Sequence, residues 1–154
     1  SPRRPDTYVT HKIIKGLQSG ECFQIGNLES RRVWGHAKDY VKAMWLLLQQ
    51  EPTQTGHRLR DIIIATGKTY SVREFIEIVV KKLNKTIEWS GEATNEVGSI
   101  DGKAVIQVSQ EFYRSDNETL LVGHNQSIEE IGWTREYDIG SLIEEMIHPP
   151  QVKV

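Results

Sequence analysis

The chain has 154 residues, of which 38% are hydrophobic and 26% charged, and its 19 basic and 21 acidic side chains leave a formal net charge of −2. That length supports one ordinary domain with a core of its own, needing neither metal nor disulfide to fold. The near-neutral balance gives no electrostatic case for nucleic acid as a partner, and no apolar run reaches the roughly 18 residues that a membrane span requires.

The chain opens Ser1-Pro2-Arg3-Arg4-Pro5, with no initiator methionine, and reads as the interior of a longer polypeptide. The two prolines disfavour helix there. Asp6 or Thr7 is expected to cap a first helix carrying Val9, Ile13, Ile14 and Leu17, which Gly16 and Gly20 punctuate. Residues 22–25 form a short apolar strand closed by Gly26-Asn27, in which Cys22 is expected to be a buried, inert thiol. As the single cysteine, it excludes an internal disulfide and fits a reducing, cytoplasmic setting. Residues 30–35 read as a polar loop bearing Arg31, Arg32 and Trp34.

A second helix is predicted over 36–50. Ala37, Tyr40, Val41, Met44, Leu47 and Leu48 recur at helical spacing and are expected to form its buried face, with Lys38, Asp39 and Lys42 opposite. Trp45 and Leu46 widen the stripe, so this helix is expected to be covered on more than one side. Residues 51–60 are a polar loop. The β-branched run within 61–65 suits a strand buried on both faces, as in a parallel sheet.

Ser71-Val72-Arg73-Glu74 has the pattern of a capping box. It opens a helix with Val72, Phe75, Ile76, Val79 and Leu83 on one face, and Lys81 and Lys82 suit the negative end of its dipole. A short strand over 86–89, a glycine-rich loop over 90–103 and a β-prone stretch over 104–108 follow. Phe112-Tyr113-Arg114 comes next, then a strand over 120–122 and a helical turn over 128–131 capped by Ser127. Asp138 caps a last helix carrying Ile139, Leu142, Ile143 and Met146, which Pro149-Pro150 stops. This mixture of elements predicts an α/β or α+β fold.

Motifs for chemistry are sparse. The chain has no G-x-G-x-x-G or P-loop pattern and hence no nucleotide fingerprint of its own. No nucleophile elbow is present, and the five histidines lack the spacing of metal ligands. Tyr8 to Lys12 spells the Y-x-x-x-K of short-chain dehydrogenases, but no dinucleotide-binding unit precedes it, so the match is taken as chance. The cations near element ends are more informative: Arg3, Arg4, Lys12, Arg31, Arg32 and Arg114. The planar fork of arginine suits a diphosphate, and the neighbouring Trp34, Phe112 and Tyr113 offer surfaces on which a base or sugar packs. The alternative is solvated ion pairs worth less than about 1 kcal/mol each.

Residues 32–41, Arg-Val-Trp-Gly-His-Ala-Lys-Asp-Tyr-Val, resemble the R-D-W-G-H-A-K-D-Y-V signature of GDP-mannose 4,6-dehydratases. Residues 1–4 and 9–13 resemble that family's S-P-R-R and V-T-R-K-I. Further matches are Ile64-Ala65-Thr66-Gly67, residues 71–75, Asn84-Lys85-Thr86-Ile87, residues 95–98 and Phe112-Tyr113-Arg114, all in order along nearly the whole chain.

The resemblance implies an α/β fold: the C-terminal, substrate-binding portion of an extended short-chain dehydrogenase/reductase, without the N-terminal Rossmann half. It implies residues 1–148 as the substrate-binding portion and 149–154 as a tail. The family is an NADP-dependent lyase that converts GDP-mannose to GDP-4-keto-6-deoxymannose, on the route to GDP-fucose. Its catalytic and cofactor-holding residues belong to the half this chain does not resemble, so no catalytic or metal residue is assigned. By the same resemblance, Arg4 lies near NADP, and Lys12, Arg32, Arg114 and Asn117 contact GDP-mannose. It also implies a homo-oligomer. The departures are Val33 for Asp, Ser115 for Pro, His11 for Arg and Asn117 for Glu. A sugar-nucleotide-binding module without catalysis, or a degenerate fragment, is the alternative reading.

Overall fold

The structure, a computed structural model, describes residues 5, 7–50, 61–115 and 122–150. Helix α1 (Val9–Ser19) follows the predicted spacing, burying Thr10, Ile13, Ile14 and Leu17. Tyr8 takes the N-cap position with no side-chain cap, and Asp6 lies outside the described residues. Gly20, at φ 67°, ends the helix in the left-handed conformation that glycine adopts without a Cβ penalty.

Strand β1 (Phe23–Ile25) and strand β2 (Arg31–Arg32) precede helix α2 (Ala37–Leu48). Strand β3 (Tyr70–Ser71) leads into helix α3 (Val72–Lys82) through the expected capping box: Ser71 Oγ accepts from the Glu74 amide at 3.0 Å, and Glu74 Oε2 accepts from the Ser71 amide at 2.6 Å. Strands β4 (Glu88–Ser90), β5 (Val97–Ile100) and β6 (Lys103–Val108) follow, with a single 3-10 turn over Ala93–Asn95. Helices α4 (Gln126–Glu129) and α5 (Ile139–Ile147) complete the chain. The predicted cap at α5 is present, Asp138 Oδ1 accepting from the Ser141 amide at 2.7 Å. At α4 the N-cap is Asn125 instead of Ser127, and no side chain caps it.

The main sheet has the order β1-β6-β5-β4. β1 runs parallel to β6, whereas β4, β5 and β6 are successively antiparallel. A bulge between Gly98 and Ser99 leaves Val105 without a Cα partner, so Val105 turns inward beside Ile106. Helices α1, α3 and α5 cover this sheet, and the core lies between the layers. Phe75, Ile76, Ile13, Ile106 and Ile143 are fully buried there. A separate small cluster joins Ala43 of α2 to Ile128 and Trp133, with Leu46, Leu47, Ile62, Ile64 and Ile131 partly buried around it.

Four expectations are corrected. The stretch 90–103 is no loop: it holds β5 and the tight turn Asp101-Gly102, both at positive φ, that joins β5 to β6. Residues 61–65 form no strand, because no described segment lies beside them to complete a ladder. Cys22 is exposed, since β1 begins one residue later and the side chain lies outside the core. The face of α2 is rotated from the expected one: Asp39 and Ala43 are buried and Leu47 is partly buried, while Val41, Met44, Trp45 and Leu48 are 61, 55, 62 and 77% exposed. The loop expected over 51–60 lies outside the described residues, as do residues 120 and 121 of the strand expected over 120–122.

Candidate functional site

Parallel pairing of β1 with β6 brings the two segments that follow these strands side by side. Ile25 faces Val108, and the Ser109 amide donates to the Ile25 carbonyl at 2.9 Å. The chain after β6 therefore descends past Gly26 and Asn27. The approach is so close that a Cβ on Gly26 would overlap the Phe112 carbonyl, with the Phe112 carbonyl carbon 2.9 Å away. Asn27 then secures the crossing: its Nδ2 donates to the Arg114 carbonyl at 3.2 Å, and its Oδ1 accepts from the Glu29 amide at 2.9 Å.

Beside this crossing lies an open cleft of ≈ 300 Å³. Lys12 enters it from α1, Arg32 from β2 and Arg114 from the segment after β6, and Thr7, Gln24, Asn27, Ser30 and Phe112 also line it. Three residues far apart in sequence are thus brought together in one lining. Among the described residues no carboxylate lines the cleft. Three cations converging on one cleft make an environment that favours a polyanionic ligand.

Two neighbouring arginines divide their work by the alternation of a strand. Arg31 is used by the fold: its Nε donates to Thr69 Oγ1 at 3.2 Å, its Nη2 to the Thr69 carbonyl at 3.1 Å, and Nη2 lies 3.1 Å from Glu74 Oε2. Arg32 lines the cleft and donates through Nη1 to the Arg31 carbonyl at 2.7 Å. Lys12 Nζ lies 4.5 Å from the centre of the Phe112 ring, a cation–π contact that holds the ammonium over the cleft. Phe112 is 44% exposed and keeps ring surface for a ligand. Trp34 does not, because it packs on Phe75 with ring centroids 4.8 Å apart, and Tyr113 packs against the main core. Arg4 and Asn117 lie outside the described residues.

Gln24, Asn27, Ser30 and Thr7 were missed as site residues. Their only signal is spatial, since the β1–β6 pairing that gathers them leaves no local pattern in the sequence.

A second polar group ties α2 to the end of the chain. His36, 1% exposed, caps α2 by accepting the Lys38 amide on Nδ1 at 3.1 Å. Its ring stacks on Tyr137 at 4.0 Å, and Nε2 lies 3.4 Å from Glu145 Oε2. Lys38 Nζ donates to Tyr137 and to both Glu145 oxygens at 3.0–3.1 Å. Burial holds the His36 pKa below its ordinary 6.5, outweighing the opposite pull of Glu145. The hydrogen bond from Lys38 holds Glu145 below its ordinary 4.5. Both folded-state values are depressed, so both contributions to stability are complete above the unfolded values and are lost as pH falls. His36→Asn keeps a capping acceptor and removes the titration. Its unfolding midpoint in urea is expected to fall less steeply than that of the parent between about pH 7 and pH 5; parallel profiles would refute this role.

No group of His, Cys, Asp and Glu side chains among the described residues is arranged to hold a metal ion. No helix among them is long and apolar enough to cross a membrane.

Comparison with known proteins gives the cleft its context. The family described as GDP-mannose 4,6 dehydratase matches residues 1–146. The chain belongs to that family. Among GDP-mannose 4,6-dehydratases, the protein of Dictyostelium discoideum is 41% identical over 155 residues, covering 96% of this chain and 42% of the relative. The human protein is 40% identical over 156 residues, covering 96% and 40%, and that of Vibrio cholerae is 36% identical over 165 residues, covering 96% and 43%. The chain therefore spans about two fifths of the length of these relatives. Among solved structures, dTDP-glucose 4,6-dehydratase of Bacillus anthracis, in complex with NAD, superposes with a TM-score of 0.70 at 15% identity. It covers 96% of this chain and 40% of that one. RMD of Pseudomonas aeruginosa, complexed with NADPH, gives 0.67 at 17% identity, covering 96% and 44%. The α/β architecture is thus that of part of an extended short-chain dehydrogenase/reductase.

The described residues do not form a nicotinamide-dinucleotide site. No described helix starts from a glycine-rich turn able to cradle a pyrophosphate. The one glycine just before α2, Gly35, is required by packing, since a Cβ there would lie 2.6 Å from the Tyr40 hydroxyl.

Proposed function

We propose that this chain is the GDP-mannose-binding part of a GDP-mannose 4,6-dehydratase, with the cleft formed by Lys12, Arg32 and Arg114 receiving the nucleotide diphosphate. The observation that supports this is the convergence of these three cations in one lining. Arg32 and Arg114 offer planar donor forks to the phosphates, Lys12 supplies a point charge, and the exposed part of Phe112 accepts the apolar face of a base or sugar. In this reading Asn117 adds a polar contact to the nucleoside and Arg4 approaches the NADP of the complete enzyme. The enzyme is a cytoplasmic homo-oligomer, residues 1–148 are its substrate-binding portion and residues 149–154 a tail.

The chain holds ligand without turning it over. Incubation with GDP-mannose and NADP is expected to leave the sugar nucleotide unchanged; a 4-keto product from this chain alone would overturn that statement. Binding is read by titrating the labelled chain with GDP and following amide and side-chain NMR shifts. Saturable shifts at Lys12, Arg32 and Arg114 are expected, with a dissociation constant on the order of 0.1–1 mM. Arg32→Ala and Arg114→Ala are each expected to weaken GDP about five- to tenfold. Shifts confined to other surfaces, or affinity unchanged in both variants, would refute the assignment.

A further inference from the structure

The loop between β1 and β2 carries an anion close to the cleft. Glu29 stands between Asn27 and Ser30, both of which line it, and three residues before Arg32. The Cα atoms of residues three apart are at most about 11 Å from one another, a gap that a glutamate and an arginine side chain can close between them. Glu29 meets Arg73 instead, whose Nε donates to Glu29 Oε1 at 2.7 Å. Arg73 is fixed from three further sides. Its Nη1 and Nη2 donate to the two Glu96 carboxylate oxygens at 2.7 and 2.9 Å, its guanidinium carbon lies 4.7 Å from the centre of the Trp89 ring, and its amide donates to the Leu28 carbonyl at 2.9 Å. The Val72 amide donates to the Ser30 carbonyl at 3.0 Å. Main-chain bonds at 28 and 30 thus bracket Glu29, which leaves the direction of its side chain to be set. A lone exposed ion pair imposes little order. Here the Arg73 side chain is only 24% exposed and is already held by Glu96, itself 12% exposed, so receiving Glu29 orders no further arginine rotamer.

We infer that Arg73 is a positioning residue for the cleft: it holds the Glu29 carboxylate away from Lys12, Arg32 and Arg114, so that their charge stays available to an anionic ligand. The inference rests on the reading of the cleft as a diphosphate site. Arg73 does not itself line the cleft. Its effect is on a competitor. A carboxylate tethered to the loop that carries Asn27, Ser30 and Arg32 is present at high effective concentration beside the cations, and once released it acts as their internal counter-ion. Glu96 decides which nitrogen serves Glu29. It occupies the fork of Nη1 and Nη2, and Nε remains for the loop.

The test compares the 154-residue parent with Arg73→Ala and Arg73→Lys, each also combined with Glu29→Gln. Arg73→Lys keeps a cation opposite Glu96 and so protects the fold, but it has no Nε donor for Glu29. In the ligand-free chain, the Nε–Hε NMR signals of Arg32 and Arg114 are expected to shift in both single variants, as Glu29 turns onto the cleft. They are expected to return to the parent positions when glutamine replaces Glu29. Titrated with GDP, Arg73→Ala is expected to bind about three- to tenfold more weakly than the parent, with Arg73→Lys changed in the same direction, and each double variant to recover to within about twofold. A merely structural role for Arg73 predicts no recovery, because glutamine at 29 restores no contact. Unchanged Arg32 and Arg114 signals in both single variants would overturn the inference, as would a loss of affinity that Glu29→Gln leaves in place. The arginine signals are read without ligand. A chain that binds no GDP therefore refutes the diphosphate reading alone, and the ligand-free spectra still decide the role of Arg73.

Discussion

Replacement of Asp39 by alanine is expected to lower the unfolding free energy by about 3 kcal/mol, read from urea denaturation near neutral pH. The carboxylate sits in the first turn of α2 and is only 4% exposed. Its Oδ1 accepts the Glu136 amide at 3.0 Å and its Oδ2 the Tyr137 amide at 3.1 Å. The Asp39 carbonyl accepts Trp133 Nε1 at 2.9 Å, so three bonds connect α2 to the segment before α5. Bonds to a charged acceptor contribute about 1.5–3 kcal/mol each, and alanine leaves two amides without their acceptor. The carboxylate also favours the positive end of the α2 dipole. Asparagine should be intermediate, because one of its two side-chain atoms is a donor facing an amide donor. A loss below about 1 kcal/mol for alanine would show that water replaces the carboxylate at little cost.

The same residue shows where the sequence misleads. By spacing alone, Asp39 belongs to a solvent face with Lys38 and Lys42, opposite a stripe from Tyr40 to Leu48. Hydrophobic periodicity reports that an apolar face meets something, without saying what. In α2 Leu47 meets the small cluster while Val41, Met44, Trp45 and Leu48 stay exposed, so the described residues cover only part of the stripe that the rule picks out. Residues 61–65 fail for the same reason: the β-branched run is a sound strand signal, but a strand needs a partner to be one. Elements whose partners lie within the chain were legible. α1, α3 and α5 keep their predicted apolar faces, and the caps at Ser71 and Asp138 fall where the residue types put them, because capping is settled within four residues.

β5 was missed although Asp101-Gly102 is a strong hairpin signal. The three glycines of 90–103 masked it. Gly98 lies in the strand because Ile87 and Trp89 pack where its Cβ would be, 2.8 Å from each. A glycine that makes room for an aromatic reads, in sequence, like one that makes a turn. For the cleft, composition offered six cations without a way to choose among them. The family motifs selected Lys12, Arg32 and Arg114, and the parallel pairing of β1 with β6 accounts physically for their convergence. Arg31, adjacent to Arg32 and equal to it in composition, is used to fasten β2 to the start of α3.

Gly26→Ala is expected to cost about 3 kcal/mol of stability and to weaken GDP at least tenfold. The effect arises from space and not from backbone conformation. Gly26 is not among the glycines at positive φ, but its missing side chain admits the Phe112 backbone. A methyl group there meets the main chain, which cannot rotate away as a flexible side chain would. The displaced segment carries Phe112, over which Lys12 rests, and Arg114, whose carbonyl Asn27 holds. One methyl group therefore disturbs two of the three cations without touching either. Gly20→Ala is the matching control. It meets nothing within 4 Å, but φ is +67°, so it carries conformational strain alone, about 1 kcal/mol, and is expected to leave GDP affinity unchanged. If the two alanine variants lose equal stability and both bind GDP like the parent, the β1–β6 crossing does not position the cleft. If Gly26→Ala alone loses binding, with its amide spectrum altered around 112–114, the cleft is built by the close approach at that glycine.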